Sequence, residues 1–247
     1  MQNRLTLCTL ILSLLLACSS EARDDSITVG YFDLPPHGTL KNGKEVGAAL
    51  EYFDIIAKQM GVRFHYIQEP LSRLLVDKKI DLILYLGKTP AREKTHVFFP
   101  NPLFKMQGSI TVRNDNPILV INHIEDLKHM KISIWQEGYL SPLLTADHLT
   151  LEKMTGDNVT ERSLRKVLSG RSQGFYSPEL LSVTYAIKKL GLTEKLRIMN
   201  LPEKPVELSP AFSKASATKY QVRFEKEFLK LQSRLPYSKF LETYQVP

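Results

Sequence analysis

The chain has 247 residues, 43% of them hydrophobic, with 33 Lys and Arg against 26 Asp and Glu, 12 Gly, 14 Pro and two Cys. That length suits one large or two modest domains with a buried core, and it excludes collagen-like, disordered and disulfide-stapled classes. The formal charge of +7 is spread along the chain with acids interleaved, as in Asp77-Lys78-Lys79-Ile80-Asp81, so nucleic-acid recognition, which needs a clustered basic face, is not expected.

Residues 1–17 set one positive charge, Arg4, ahead of the run Leu10-Ile11-Leu12-Ser13-Leu14-Leu15-Leu16-Ala17. This is too short for a permanent membrane span and reads as a secretory signal peptide. Two cleavage sites stay open. Leu15-Leu16-Ala17-Cys18 resembles a bacterial lipobox, which would leave an acylated Cys18 on a membrane surface, whereas Ser20-Glu21-Ala22 offers small residues to ordinary signal peptidase near residue 22. Cys8 precedes either cut, so the mature chain cannot form an internal disulfide and must stand on its core alone.

From residue 26 the pattern alternates between strand and helix. Residues 27–32 predict a strand, followed by the turn Pro35-Pro36-His37-Gly38; Val46, Leu50, Phe53, Ala57 and Met60 then recur at helical spacing up to Gly61, a C-terminal stop. Residues 62–67 predict a strand, 71–78 a short helix, and 80–86 a strand whose unbroken apolar run implies burial on both faces. Together these suggest a parallel β/α series. A second series follows, with strands at 109–113 and 131–135, a helix at 161–168 between Thr160 as N-cap and Gly170, a strand at 174–176, a helix at 178–190 and a strand at 196–199. The tail is an amphipathic helix with Tyr220, Phe224, Phe228 and Leu231 on one stripe, then a segment 237–244. Two α/β lobes with no loose linker between them put the default ligand site in a cleft beyond the carboxyl ends of the strands.

The order of elements and several motifs resemble the bacterial extracellular solute-binding proteins of family 3. The carrying residues are 27–36, Val46-Gly47 with Glu51, Ile80-Asp81-Leu82-Ile83, Thr89-Pro90-Ala91-Arg92-Glu93, Phe99-Pro100-Asn101-Pro102-Leu103-Phe104, Asp126-Leu127-Lys128, 132–138 and Leu168-Ser169-Gly170-Arg171. The Thr-Pro-x-Arg-Glu stretch followed by the aromatic-Pro-x-Pro segment is the specific part. The resemblance implies a two-lobed periplasmic-binding-protein fold of the type II, Venus-flytrap kind, with two interlobe crossovers near 107–113 and 206–212. Lobe 1 is then 24–110 with 212–247, and lobe 2 is 111–211. It further implies that Arg92, in the motif begun by Thr89, grips a ligand carboxylate, a task that suits a planar guanidinium.

Departures from the family pattern bear on the ligand. The position of the usual ammonium-binding acid, in Gly174-Phe175-Tyr176-Ser177-Pro178-Glu179, falls on Pro178; either Glu179 substitutes or the ammonium site is absent. The Ser/Thr-rich stretch before the family Arg is replaced by Tyr85-Leu86-Gly87-Lys88, and Gln136 is followed by Glu137-Gly138-Tyr139. The expected cleft lining is therefore aromatic and partly cationic: Tyr31, Phe32, Tyr85, Lys88, Trp135, Tyr139 and Tyr176, with Ser177 and Glu179 beside them. Each ring taken alone is better explained by core packing, and it is their recurrence at successive strand ends that points to the cleft.

Other motifs point elsewhere. Gly170-Arg171-Ser172-Gln173-Gly174 spells GxSxG, but a helix precedes Ser172 and a strand follows it, the reverse of a nucleophile elbow. Gly87-Lys88-Thr89 lacks the earlier glycine of a phosphate loop, since Leu82 stands there. His37, His65, His96, His123, His129 and His148 show no metal-binding spacing, so no metal or cofactor is expected. Asn158-Val159-Thr160 matches a glycosylation acceptor and reads as the start of a helix. The leading expectation is a monomeric, exported binder of a small carboxylate-bearing or zwitterionic solute, serving an ABC-type permease or a membrane sensor. The alternative is a cyclohexadienyl-dehydratase-like lyase on the same scaffold, with Glu179 or Glu137 as general acid.

Overall fold

The computed structural model describes residues 25–136, 138–145, 149–156 and 158–244. The segment 1–24, with the expected signal peptide and Cys18, and the acid Glu137 lie outside the described residues.

The first strand, Ser26–Tyr31 (β1), pairs in parallel with Arg63–Gln68 (β4), Val29 opposite Tyr66, and with Leu82–Gly87 (β5). All six residues of β5 are buried, as the apolar run requires of a strand covered on both faces. Between β1 and β4 the chain forms the hairpin Thr39–Lys41 (β2) and Lys44–Val46 (β3), then the helix Ala48–Met60 (α1). That helix ends where Gly61 turns left-handed, its N–H directed at Ala57 O and Lys58 O. A one-turn helix, Leu71–Leu74 (α2), follows β4. It is shorter than the expected 71–78 because Asp77 forms a turn, its carboxylate accepting from the Lys79 N–H at 2.9 Å.

The chain then forms Pro90–Glu93 (α3), His96–Phe98 (β6) and Phe104–Met106 (β7), and passes to a second sheet. That sheet is built from Ser109–Arg113 (β8), Lys131–Trp135 (β9), Thr150–Met154 (β10), Gly174–Ser177 (β11) and Leu196–Asn200 (β12), in the order β10-β9-β11-β8-β12. Two helices cover it, Val159–Leu168 (α4) and Leu180–Lys189 (α5). Helix α4 begins ahead of the expected Thr160, with Asn158 as its N-cap, whose side chain makes no cap hydrogen bond. Helix α5 starts after Pro178 rather than on it, because the Glu179 carboxylate takes the cap position.

The chain returns through Val206–Ser213 (β13), which gives the first sheet the order β4-β1-β5-β13-β6 with β7 also paired to β13. Strand β13 runs antiparallel to β5, β6 and β7, so this sheet is mixed rather than parallel throughout. The helices Lys214–Arg234 (α6) and Tyr237–Thr243 (α7) close the chain against α1.

The chain thus leaves the first sheet after Met106 and re-enters it at Val206. At the passage the two segments lie side by side: Leu201 N–H donates to Gly108 O at 2.9 Å, and the Gln107 amide donates to Leu201 O at 3.1 Å. One core, centred on Phe53, Phe99, Phe212, Phe224 and Phe228, holds the first lobe; two smaller ones, around Ile110, Ile132 and Leu144 and around Leu164, Phe175 and Val183, hold the second. Among the described residues, no helix is long and apolar enough to cross a membrane.

Candidate functional site

A cavity of about 460 Å³ opens between the two sheets. Its first wall comes from the segments just beyond β1 (Phe32 to Leu34) and β4 (Glu69 to Leu71), from Leu86 and Gly87 at the end of β5, and from Arg92. The second comes from Trp135 and Tyr139 after β9, Asn158 to Thr160 at the start of α4, and Phe175 to Glu179. Both walls draw on the carboxyl ends of parallel strands, where an open α/β sheet leaves a crevice.

Arg92 reaches this wall because Thr89 and Pro90 start α3 sharply: Thr89 Oγ1 accepts from the Arg92 N–H at 3.3 Å, and Pro90 occupies the first turn. The half-buried guanidinium donates one hydrogen bond, Nη1 to Gly87 O at 2.8 Å. Among the described residues no carboxylate pairs with it, and burial lowers its pKa. A guanidinium with unused donors and no counter-ion favours an anion. The N-terminus of α4 in the opposite wall, where the Asn158 side chain makes no cap bond, adds backbone N–H groups of the same preference.

Glu179, only 5% exposed, is fixed differently. Its Oε1 accepts from Leu181 N–H at 2.9 Å, its Oε2 accepts from Ser182 N–H, and His37 Nε2 of the first lobe stands 3.8 Å from Oε2. Burial alone would push this carboxyl up; His37 and the helix N–H groups outweigh it and hold the carboxyl below its ordinary value. Ser177 lines the wall, but its hydroxyl is used on Glu179 O at 2.9 Å.

The lobes also meet through rings. Phe32 and Trp135 lie 5.3 Å apart between centroids at 50°, and Tyr139 approaches Gly87 beside Arg92.

The profile of the bacterial extracellular solute-binding proteins, family 3, matches residues 27–244. The chain belongs to that family. Solved structures with the same two-lobed fold include an arginine-binding protein mutant from T. maritima (21% identity, 88% of this chain and 94% of that one, TM-score 0.73). A histidine kinase sensor domain with similarity to periplasmic binding proteins matches at 22% identity over 90% and 96%, TM-score 0.74. The amino acid ABC transporter substrate-binding protein AbpA of Streptococcus pneumoniae, bound to L-arginine, matches at 17% over 88% and 93%, TM-score 0.71. At these identities the likeness establishes the fold. No curated protein matches the sequence.

Within this family-3 fold, the cavity brings together Arg92, Phe32, Trp135, Tyr139, Tyr176, Ser177 and Glu179 of the expected residues. Four others stand away from it. Lys88 is exposed and paired with Glu93 at 2.9 Å. Thr89 serves as the α3 cap. Tyr85 is buried behind the wall, its hydroxyl donating to Phe32 O at 2.8 Å, and burial pushes its pKa well up so that it stays a donor. Tyr31 is fully buried against Tyr66. Ser172 is buried too, 2.6 Å from Ser133 Oγ and donating to Glu152 at 3.1 Å. His37 is the residue the sequence reading passed over; a histidine inside an otherwise apolar Pro-Pro-x-Gly turn is the signal that marked it. Among the described residues no three His, Cys, Asp or Glu come together as a metal site.

Proposed function

We propose that the protein is an exported receptor that captures a small carboxylate-bearing or zwitterionic solute between its lobes for an ABC-type transporter or a membrane sensor. In this reading residues 1–17 direct export, Cys18 carries a lipid anchor, and the mature chain acts as a monomer. The observation that carries it is the Arg92 guanidinium: half-buried in the interlobe cavity, singly bonded to Gly87 O and without a carboxylate partner among the described residues. The amino-acid receptors and the sensor domain that share the fold support the same class of task. Capture rather than turnover is favoured because Glu179, the described candidate for a general acid, is held below its ordinary pKa and so is a poor proton donor.

Isothermal titration of ligand-stripped protein against a panel of carboxylates tests the assignment. Hydrogen bonds to charged groups contribute about 1.5–3 kcal/mol each, so losing two in Arg92→Ala weakens carboxylate binding by about 100-fold or more. Retained affinity in that variant removes Arg92 from the site. Incubation with prephenate or arogenate, followed for aromatic product, separates turnover from stoichiometric capture.

A further inference from the structure

A ligand that enters the cavity with an ammonium group needs a carboxylate to receive it. Three carboxylates belong to the described wall: Asp33, Glu69 and Glu179. Glu69 is paired with Arg73 at 2.9 Å. Asp33 is exposed and accepts from Thr39 Oγ1 at 2.6 Å, so it offers an ammonium only a solvent-screened partner. Glu179 is the buried one, and its oxygens face the α5 N–H groups and His37.

His37 is built to stay there. Its backbone is locked by α1, Ala49 N–H donating to His37 O at 2.8 Å, and its ring stacks on Phe104 at 4.2 Å with 3° between planes. Tyr237 Oη stands 2.8 Å from Nδ1, and Tyr85 flanks the ring at 6.2 Å. In the tautomer that accepts from the Tyr237 hydroxyl at Nδ1, Nε2 carries the proton and faces Glu179. His37 is 1% exposed, and its Nε2 has no hydrogen-bond partner among the described residues; it stands 3.8 Å from Glu179 Oε2 of the second lobe.

We propose that His37 determines specificity by occupying the approach to Glu179 with its own buried Nε2, so that the closed cleft takes carboxylates lacking an α-ammonium group and discriminates against the matching amino acids. The inference rests on the carboxylate-binding reading above and narrows its ligand class. Arg92 and the α4 terminus supply the anion's partners. The ammonium of an amino acid would have to displace His37 from Glu179 or be buried without a counter-charge.

The test uses matched pairs that differ only in the ammonium group, L-phenylalanine against 3-phenylpropionate and L-glutamate against glutarate, titrated into the mature protein by calorimetry. The expected result is at least tenfold tighter binding of the acid in a pair that binds. His37→Phe, which keeps the stacking on Phe104 but not the N–H, narrows that ratio at least tenfold, whereas His37→Gln, whose amide supplies an N–H toward Glu179, retains it. An amino acid that binds wild type as tightly as its counterpart, or an unchanged ratio in His37→Phe, overturns the inference while carboxylate binding stands. Binding of neither member of any pair overturns both. Should His37→Phe not fold, the wild-type ratio decides.

Discussion

Glu179 shows how one side chain can be spent twice: it caps α5 through two backbone N–H groups and faces His37 across the cleft. Its carboxyl is held below the ordinary 4.5, so its ionised form stabilises the folded state at neutral pH. That contribution is complete above 4.5 and is lost as the pH falls through the depressed folded value. Glu179→Ala therefore lowers stability by roughly 0.5–2 kcal/mol at pH 7, the ordinary cost of a lost N-cap, and the gap to wild type shrinks on acidification toward pH 3. Thermal unfolding of both proteins across that range reads it out, and parallel curves would show the charge to be unused. Of the residues expected from the sequence, the cavity is lined by Arg92, Phe32, Trp135 and Glu179, while Tyr31 and Tyr85 lie in the core behind it. Successive side chains on a strand point to opposite faces, and a ring at a strand end is core or cleft according to a one-residue parity that composition does not reveal.

Helix α6 carries the first lobe's core on Tyr220, Phe224, Phe228 and Leu231, one stripe at helical spacing. Phe224 is fully buried and meets Phe53, Phe99, Phe212 and Phe228 at ring-centroid distances of 5.7, 5.1, 5.4 and 5.8 Å. Phe224→Ala opens a cavity among these rings and costs about 3–5 kcal/mol, measured as a lower urea midpoint with an unchanged slope. That stripe was legible because a two-sided environment writes a strong period. The helix stops at Gly61 and Gly170, both left-handed here, were legible for a conformational reason. The exposed hairpin β2–β3 was not: Asn42 and Gly43 supply the positive φ values of its turn, but Thr39 to Lys41 and Lys44 to Val46 bury too little to alternate. Strand β10, at a sheet edge with Glu152 and Lys153 in its middle, leaves a similarly weak pattern. Pro210 hides the length of β13; the sheet accommodates it where the register against β5 shifts between Ser209 and Ala211.

At the scale of the whole molecule, the two lobes are joined by paired extended segments, and their approaches across the cleft include Phe32 on Trp135, Tyr139 beside Gly87 and Arg92, and His37 facing Glu179. A ligand can shift the open and closed populations only by binding one better than the other. In the proposed reading, Arg92 on one wall and the α4 terminus on the other would make the closed form the better binder. Trp135 is the single tryptophan of the chain and sits at the junction, so its emission reports closure without a label. Opening exposes the indole to water and shifts its emission to the red; a bound carboxylate moves it to the blue, saturably and with the stoichiometry found by calorimetry. Phe32→Ala removes the ring that Trp135 leans on, so the unliganded variant emits further to the red than wild type and a larger blue shift accompanies binding. Emission that ignores a ligand shown by calorimetry to bind would mean that capture proceeds without relative motion of the lobes.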